Sequence, residues 1–406
     1  MNKRLLAAVT VAAALVPATA SAAGNPQVVR VDPTTGVVKA LAGGAPWTTL
    51  GGLAFGPTGT LYVANQGPIG PNPRGAGIYS LTSPGFAITP FTTSGPTADP
   101  AAVVASGSTL YSLDDDRVLR IDPATGAQAV LTSGGLYDQY GVAPQFGAVS
   151  GSTLYTTASS SCASAEGGGG YVIGVDTTTG AQTLVKRFGC ATLGGVAATP
   201  GGKLIVAVGG KPAKLVQLDP STGAASTLSS GGSLKTPRGI ALDAAGDVMV
   251  ADSTTGVIAV SGQGGDQSPY TAPGVIGGAT GIAIGADNGI YVTEAGVPPK
   301  LVASAVRRQQ LRKSGIALTV KCNRTCTVAY TAAIKITGRP GFAKSAAFRS
   351  VTGRRHLRVG LPGQVRGRIA SALRQGRTVT AKVTVQPRDP RTGSAGKATT
   401  LRVRVV

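Results

Sequence analysis

One stretch of this chain recurs along most of its length, and the repeat limits the folds that the chain can adopt. Residues 28–65 read VVRVDPTTGVVKALAGGAPWTTLGGLAFGPTGTLYVAN, and related stretches recur about six times before Lys300. The stretch contains two pairs of short, alternating apolar runs, and each pair is joined by a turn rich in Pro or Gly. Each pair predicts a β-hairpin, and two hairpins predict a four-stranded unit.

The two hairpins can be followed through the sequence by their turns. In the first, Pro33 presets φ and Gly36 supplies the positive φ that rejoins the partner strand. In the second hairpin the turn lies at residues 56–59, where Pro57 and Gly59 have the same two roles. Copies of the first hairpin lie at residues 78–86, 118–126, 172–180, 215–223 and 257–265. Copies of the second lie at residues 101–113, 146–157, 194–207, 238–251 and 280–293.

The spacing of these copies predicts a β-propeller. Equivalent aspartates lie 54 residues apart from Asp122 to Asp176 and 43 residues apart from Asp176 to Asp219. These distances suit four-stranded blades and are too long for leucine-rich or hexapeptide solenoids. The 60 Gly and 26 Pro also fit many short strands and tight turns. We therefore expect an all-β chain with a six-bladed β-propeller over residues 23–304.

The ring is expected to close by pairing the first hairpin with the last. Because the chain starts with an outer hairpin, residues 28–41 would pair with residues 280–293 and leave no free edge. Alternatively, residues 300–305 would supply the third strand of the last blade.

Two repeats resemble those of known propellers. Residues 238–252, RGIALDAAGDVMVAD, resemble an NHL repeat. Residues 287–294, DNGIYVTE, are similar to repeats of the streptogramin lyases, whose larger grouping includes gluconolactonase-like (SMP-30-type) propellers. The resemblance implies a propeller, and it implies a metal-binding carboxylate at Glu294. Streptogramin lyases also use a catalytic His, but the only His here is His356, outside the repeat. A lyase of that type is therefore disfavoured.

The N-terminal residues are typical of a signal peptide. Lys3 and Arg4 precede an apolar run at residues 5–16, and small residues follow up to Ala22. A membrane anchor is the alternative, but the run is shorter than the roughly 20 residues that a span needs. We expect residues 1–22 to be removed, no membrane span in the mature chain, and a secreted protein associated with the cell wall.

Charge divides the chain into two unlike regions. From Ala23 to Lys300 there are 13 Lys and Arg against 16 Asp and Glu, a formal charge of −3. From Leu301 onward there are 23 against one, Asp389, a formal charge of +22. We interpret residues 305–314 as a basic linker and residues 315–406 as a small, basic β-sandwich, because at least five alternating apolar runs occur there.

The basic region resembles the immunoglobulin-like tail modules of secreted actinobacterial proteins, through its Cys-x-x-x-Cys pair and residues 369–377. An anionic cell-envelope polymer is the partner expected for residues 315–406, held by many salt-sensitive contacts. Nucleic acid would bind by the same force. It is disfavoured because the region has few aromatic residues besides Phe342 and Phe348.

The four cysteines predict two disulfides, since an exported chain meets an oxidising compartment. Cys322 and Cys326 are expected to pair across a hairpin turn, and Cys162 and Cys190 are the remaining pair. A zinc site at the first pair is disfavoured, because no second Cys or His pair would complete four ligands.

One recurring position could hold a metal. The second hairpin ends on Asn65, Asp114, Ala158, Val208, Asp252 and Glu294 in its six copies. In a ring these residues would converge near the mouth of the central channel. Asp114, Asp252 and Glu294 are therefore candidate ligands for Ca²⁺ or Mg²⁺, which prefer oxygen donors. The alternative is that each side chain caps its own turn.

Irregular loops join the hairpins on the same face, and such loops often carry binding sites. Trp47, Asn65, Tyr137 and Tyr140 lie in or beside them and are candidates for contact with a small molecule or glycan. Alternatively, the aromatic side chains fill gaps beneath the loops. The sequence thus favours a non-enzymatic binding propeller, with a metal-dependent hydrolase or lyase of the gluconolactonase or streptogramin lyase type as the alternative.

Overall fold

The computed structural model describes residues 26–43, 47–67, 75–92, 95–160, 168–272, 275–294, 301–310, 315–388 and 396–406. The predicted signal peptide and Cys162 lie outside these ranges. Within them the chain is almost entirely strands, as the turn-rich repeat predicted. No helix among the described residues is long and apolar enough to cross a membrane.

The first half of the repeat region forms strands joined by short turns. In chain order these strands are β1 (Gln27–Val31), β2 (Val38–Gly43), β3 (Thr49–Phe55), β4 (Leu61–Gln66), β5 (Gly77–Thr82), β6 (Ala87–Thr92), β7 (Pro100–Ser106), β8 (Thr109–Asp114), β9 (Arg117–Ile121) and β10 (Gln128–Ser133). A short helix, α1 (Leu136–Tyr140), follows β10.

The second half continues the same alternation of strand and turn. Its strands are β11 (Pro144–Ser150), β12 (Thr153–Ser159), β13 (Gly170–Asp176), β14 (Gln182–Arg187), β15 (Leu193–Ala198), β16 (Leu204–Val208), β17 (Lys214–Leu218), β18 (Ala225–Ser230), β19 (Pro237–Leu242), β20 (Val248–Asp252), β21 (Gly256–Val260), β22 (Gln267–Pro269), β23 (Ala279–Ile284) and β24 (Ile290–Glu294).

These 24 strands form six antiparallel sheets of four strands each. Five sheets are consecutive in sequence: β3–β6, β7–β10, β11–β14, β15–β18 and β19–β22. The sixth has the order β2-β1-β24-β23. The first strands of the sheets (β3, β7, β11, β15, β19 and β23) contact one another in sequence, and β23 contacts β3. The sheets therefore form a closed ring, which is the arrangement of a β-propeller.

The predicted closure is confirmed. β1 pairs antiparallel with β24, from Gln27 opposite Glu294 to Val31 opposite Ile290. Arg30 of β1 also forms a salt bridge with Asp287, at 2.8 Å between Nη2 and Oδ2. The four strands of residues 28–65 are thus divided between two sheets, with β1 and β2 completing the sheet that the last hairpin begins.

Glycines let the inner strands approach closely. A Cβ added at Gly51 would lie 1.9 Å from the carbonyl oxygen of Ala101, and one at Gly281 would lie 2.6 Å from that of Gly51. Only a residue without a side chain fits such an approach of one backbone to another. The Gly pairs of the repeat therefore set the packing of the ring.

The Asp-Pro-x-Thr-Gly turns are stabilised by their own aspartates. Asp32 Oδ1 accepts hydrogen bonds from the amides of Thr34 and Thr35 at 3.0 and 2.9 Å, and Gly36 has φ of 66°. The same pattern recurs at the aspartates of three further turns: Asp122, Asp176 and Asp219. Hydrogen bonds from these turns lower the pKa of each carboxyl below its ordinary value, and the amide of Thr35 is the largest contributor at Asp32.

The C-terminal region forms one further sheet. Its strands are β25 (Leu301–Ser304), β26 (Arg308–Gln309), β27 (Ile316–Ile336), β28 (Arg339–Val359), β29 (Val379–Arg388) and β30 (Thr399–Val405). A 12-residue helix, α2 (Gly363–Arg374), joins β28 to β29 and buries Ile369 and Ala372. Hydrogen bonding connects all six strands. The two separate sheets of the expected β-sandwich are thus not seen in the described part of this region.

Two expectations about the boundary between the regions need correction. Residues 301–304, which were counted with the propeller, pair with residues 319–322 of β27 instead. They therefore belong to the C-terminal sheet and do not supply a third strand to the last blade. Arg308 and Gln309, in the expected linker, pair in parallel with β30.

The Cys322–Cys326 disulfide is present, but it does not lie at a hairpin turn. β27 runs through it for 21 residues, and the register with β28 shifts from Cys322 opposite Gly353 to Cys326 opposite Val351. The bond therefore closes a bulge within one strand. Before the bulge β27 pairs with β25, and after it with β29.

Candidate functional site

In four of the six sheets, the side chain at the recurring strand-end position binds backbone amides. Asp252, which is fully buried, accepts four amide hydrogen bonds. Oδ2 accepts from Lys235 and Thr236 at 2.8 and 2.7 Å, and Oδ1 accepts from Thr254 and Thr255 at 2.9 Å each. The carboxylate thereby fixes the connection leading into its sheet and the turn that leaves its own strand.

Asp114 plays the same part in its sheet. Its two oxygens accept the amides of Ala98 and Asp99, both at 2.8 Å. Burial raises the pKa of Asp114 above its ordinary value, although these two amides act in the opposite direction. The side chain is thus a buried carboxylate held by donors of the loop before β7.

Glu294 and Asn65 complete the pattern. Glu294 Oε2 accepts the amide of Gly277 at 2.8 Å, and Oε1 accepts a hydrogen bond from the side chain of Gln27. Asn65 Oδ1 accepts the amide of Thr48 at 2.9 Å. At all four positions an acceptor at the end of a strand binds an amide 15–17 residues earlier.

These contacts bear on the candidate metal site. Each carboxylate oxygen of Asp114, Asp252 and Glu294 already accepts at least one hydrogen bond from protein. A Ca²⁺ or Mg²⁺ ion would have to compete with those donors for the oxygens. Among the described residues, no group of three or more His, Cys, Asp or Glu side chains is placed to hold a metal ion. The contacts of this donor set are those of a cap for the loops.

The candidate aromatic residues are mostly covered. Trp47 and Tyr137 are buried, with 2% and 1% of their surface exposed. The Tyr137 hydroxyl lies 2.8 Å from Thr156 Oγ1, and burial raises its pKa. Trp47 packs in the core between β3 and its neighbours. Both side chains fill space beneath the loops, which was the alternative interpretation from the sequence.

Tyr140 is the partly exposed member of the set. It stacks on Tyr171 with ring centroids 4.4 Å apart and an angle of 13° between planes, and the Arg187 guanidinium lies 5.7 Å from the Tyr171 centroid. This small group of aromatic and cationic side chains lies where β13 and β14 meet α1. It is the part of the candidate aromatic surface that remains within reach of a ligand.

The centre of the ring has little free space. A cavity of about 50 Å³ lies among the inner strands, lined by Gly and aliphatic residues with Phe146. That volume holds a few water molecules, whereas pockets for small molecules measure several hundred Å³. The described residues therefore leave no room for a sugar or a lactone inside the ring.

A set of glutamines that was not predicted from the sequence fixes the same loops. Gln267 Oε1 accepts the amides of Ser233 and Leu234, and its Nε2 donates to Ser229 and Gly231. Gln128 and Gln182 bind their loops in the same way. Each glutamine lies two residues after the Gly that ends a recurring turn, so its position could have been found from the repeat.

The second predicted disulfide is not tested. Cys190 lies exposed at the end of the connection between β14 and β15. Its expected partner, Cys162, lies outside the described residues.

The strongest electrostatic feature lies on the C-terminal sheet. Lys335, Lys382, Arg402 and Arg404 are exposed and line an open groove of about 1250 Å³. Lys382 is directly opposite Arg402, an arrangement of like charges that destabilises a sheet. No described residue from 301 onward is acidic, because the single acid there, Asp389, lies outside the described ranges. These cations therefore face solvent with no Asp or Glu side chain to pair with among the described residues of their own region.

Comparisons with solved structures agree with a β-propeller. A TolB structure from Agrobacterium tumefaciens aligns with a TM-score of 0.50 and 10% identity, covering 66% of this chain and 98% of that one. The calcium-binding protein regucalcin from the same organism aligns at 0.47 and 19%, covering 68% and 85%. Streptogramin B lyase aligns at 0.45 and 13%, covering 68% and 83%. At such low identity the likeness concerns the fold alone. No protein-family model matches the chain, and a comparison with curated proteins finds no match.

Proposed function

We propose that this chain is a secreted, non-enzymatic binding protein in which a six-bladed β-propeller is retained at the cell envelope by its cationic C-terminal sheet. The retaining partner is an anionic polymer of the envelope, and the ligand of the propeller is a small molecule or glycan. The observation that carries the proposal is the row of exposed cations on the C-terminal sheet, which has no acidic partner among its described neighbours.

The six four-stranded sheets support the count of six blades, and the contact of β23 with β3 supports a closed ring. A ring of this kind is a rigid scaffold, and its connecting loops are the natural place for a binding surface. The partly exposed Tyr140, which stacks on the buried Tyr171, supports a flat ligand at the edge of that surface.

Non-enzymatic binding is favoured over the alternative, a metal-dependent hydrolase or lyase. That chemistry needs carboxylates that are free to hold a metal or to move a proton. Here the oxygens of Asp114, Asp252 and Glu294 accept hydrogen bonds from loop amides or from Gln27, as a structural cap would. The small volume of the cavity at the centre of the ring supports the same choice.

Salt elution of the full-length protein from washed cells tests the retention. Exposed charges interact through a screened field, so retention should fall steeply between low salt and about 1 M, where screening acts within about 3 Å. A variant with Lys335, Lys382, Arg402 and Arg404 changed to Gln should elute at clearly lower salt than the wild type.

The matched control removes the same number of charges from the propeller. Lys39, Lys203, Lys211 and Lys235 are exposed there, and their change to Gln should leave elution unchanged. Equal elution of the wild type and both variants would refute retention by the C-terminal sheet.

A further inference from the structure

A row of hydroxyl groups crosses the exposed face of the C-terminal sheet. Ser345 of β28, Thr331 of β27, Thr384 of β29 and Thr400 of β30 lie directly opposite one another on adjacent strands. Their hydroxyls form two hydrogen-bonded pairs, Thr331 with Ser345 and Thr384 with Thr400, each at 3.1 Å. Since adjacent strands lie about 4.8 Å apart, the row is about 14 Å long.

The hydroxyls of this row retain capacity for a ligand. A hydroxyl has one donor and two acceptor positions, so a pair that makes one mutual hydrogen bond keeps a donor and several acceptors. Thr331, Ser345 and Thr384 also line a second depression, of about 540 Å³, on this part of the sheet.

A row of cations runs beside the hydroxyl row. Two residues along each strand from Thr384 and Thr400 lie Lys382 and Arg402, which are directly opposite each other. Residues two apart along a strand share a face, so the cations and hydroxyls project from the same surface. Lys335 and Arg404 lie one step further, on either side of Thr380. The face thus carries one row of hydroxyls with a row of cations beside it and further cations one row beyond.

We infer that this face binds a chain of phosphodiester-linked polyol units that lies across the strands β27, β29 and β30. Such a polymer alternates anionic phosphates with hydroxyl-bearing units, and the face offers cations for the first and hydroxyls for the second. Arg402 adds a planar guanidinium that can bind two phosphate oxygens at once. The inference rests on the proposed function and gives its polymer a chemical class and a surface.

Other polyanions fit this surface less well. The exposed residues of the face are small or charged. Phe342 also lines the groove, but it is partly buried and Arg368 of α2 lies 5.2 Å from its ring centroid. Nucleic-acid bases would find no fully exposed aromatic platform among the described residues of the face, and stacking is a main source of affinity for single strands. Inorganic polyphosphate would use the cations and leave the hydroxyl row without a partner.

Binding of the full-length protein to three probes tests the inference: a glycerol phosphate polymer, inorganic polyphosphate and single-stranded DNA, each at the same phosphate concentration. The wild type should bind the glycerol phosphate polymer most tightly. Changing Thr331, Thr384 and Thr400 to Val should weaken that binding roughly tenfold, since each lost hydrogen bond is modest. It should leave the dependence on salt and the affinity for polyphosphate unchanged. Val is a good strand residue, and an unchanged melting curve verifies the fold.

A charge variant and its matched control complete the experiment. Lys382→Gln with Arg402→Gln should weaken binding to all three probes and reduce the steepness of log affinity against log salt by about 1.5. Lys321 and Arg354 form a second exposed pair of like charges directly opposite each other, away from the hydroxyl row. Changing that pair to Gln should have less than half the effect.

The outcomes separate the two proposals. Two results would refute this binding surface: equal affinity of the Thr variant and the wild type for the glycerol phosphate polymer, or an equal loss of affinity in the control variant and in the Lys382 and Arg402 variant. Retention by charge spread over the whole region would then remain. Tighter binding of DNA or polyphosphate by the wild type overturns the chemical class. If the wild type binds none of the probes and is not retained on cells, the proposed function itself fails.

Discussion

Replacing Asp252 tests whether the recurring carboxylate is a structural cap. Four backbone amides lose their acceptor in Asp252→Ala, and a hydrogen bond to a charged group contributes about 1.5–3 kcal/mol. Lys235 and Thr254 are exposed, so water can replace the acceptor there, whereas Thr236 and Thr255 are partly buried. We therefore expect a loss of about 3–5 kcal/mol in the free energy of unfolding, set mainly by the second pair.

Trp47 provides the assay for this loss. It is the only Trp of the chain and is buried in the ring, so its fluorescence reports unfolding of the propeller separately from the C-terminal sheet. Urea unfolding should shift to lower denaturant, and the melting temperature should fall by about 6–15 °C. Hydrogen exchange should quicken first at the amides of residues 235, 236, 254 and 255.

The control is Asp266→Ala, which removes the same charge from an exposed turn and should change stability by less than about 0.5 kcal/mol. A loss below about 1 kcal/mol for Asp252→Ala, with exchange unchanged, would refute the capping argument. A metal titration adds a second criterion. If millimolar Ca²⁺ stabilises the wild type and that effect disappears in Asp252→Ala, the carboxylate is a ligand after all.

Three further predictions follow from the packing and the charges. Gly281→Ala should lower the free energy of unfolding by about 1–3 kcal/mol, because the added Cβ would lie 2.6 Å from a backbone oxygen. In Gly85→Ala the added Cβ would meet nothing within 4 Å, so the free energy of unfolding should hardly change. Urea unfolding of the two variants measures the difference. The lowered pKa values of Asp32, Asp122, Asp176 and Asp219 give stability that is present above the ordinary aspartate pKa and lost as the pH falls through the folded values. Changing all four to Asn should flatten the decline of melting temperature in acid, and an unchanged decline would contradict it. Lys382→Gln should stabilise the C-terminal sheet by a few tenths of a kcal/mol at low salt, because it removes repulsion from Arg402. Unfolding followed by far-ultraviolet circular dichroism should show this gain in 10 mM salt and not in 1 M salt.

The propeller could be predicted because its turns are determined locally. Each Asp-Pro-x-Thr-Gly turn contains the donors and the acceptor that it uses, as the bonds from Thr34 and Thr35 to Asp32 show. Its copies therefore indicate hairpins without knowledge of the rest of the fold. The closure of the ring could be predicted because the chain begins with an outer hairpin and ends the repeat with an inner one. Each of these two hairpins lacks a partner until they pair with each other.

The role of the strand-end carboxylates was harder to predict, because their partners are distant in sequence. Both amides that bind Asp114, and two of the four that bind Asp252, lie 15–17 residues earlier, in loops whose sequences do not repeat. A carboxylate near a predicted channel is compatible with either a cap or a metal ligand. Only the geometry of the loop amides distinguishes the two.

Two features of the C-terminal region carried signals that were misread. Where the structure describes them, the buried residues of β27 are the even-numbered ones from Ile316 to Ile336, Cys322 and Cys326 included. This is the alternation of a single strand, although the Cys-x-x-x-Cys spacing suggested a turn. The spacing of Val365, Ile369 and Leu373 is helical and corresponds to α2, which was not predicted. In both cases the period of the apolar residues was more informative than the motif.

The two sheets without a strand-end acceptor are where the propeller has most freedom to specialise. At the positions of Asp114 and Asp252, the sheets β11–β14 and β15–β18 have Ala158 and Val208 instead. Other contacts fix their loops: Tyr137 reaches Thr156 from α1, and the amide of Leu193 binds Ser159 at 2.8 Å. Because no strand-end acceptor binds the amides of these neighbouring loops, we expect their sequences to tolerate more change than those of the other loops. The partly exposed Tyr140 stack lies among them, so this side of the propeller is the place to search for its ligand.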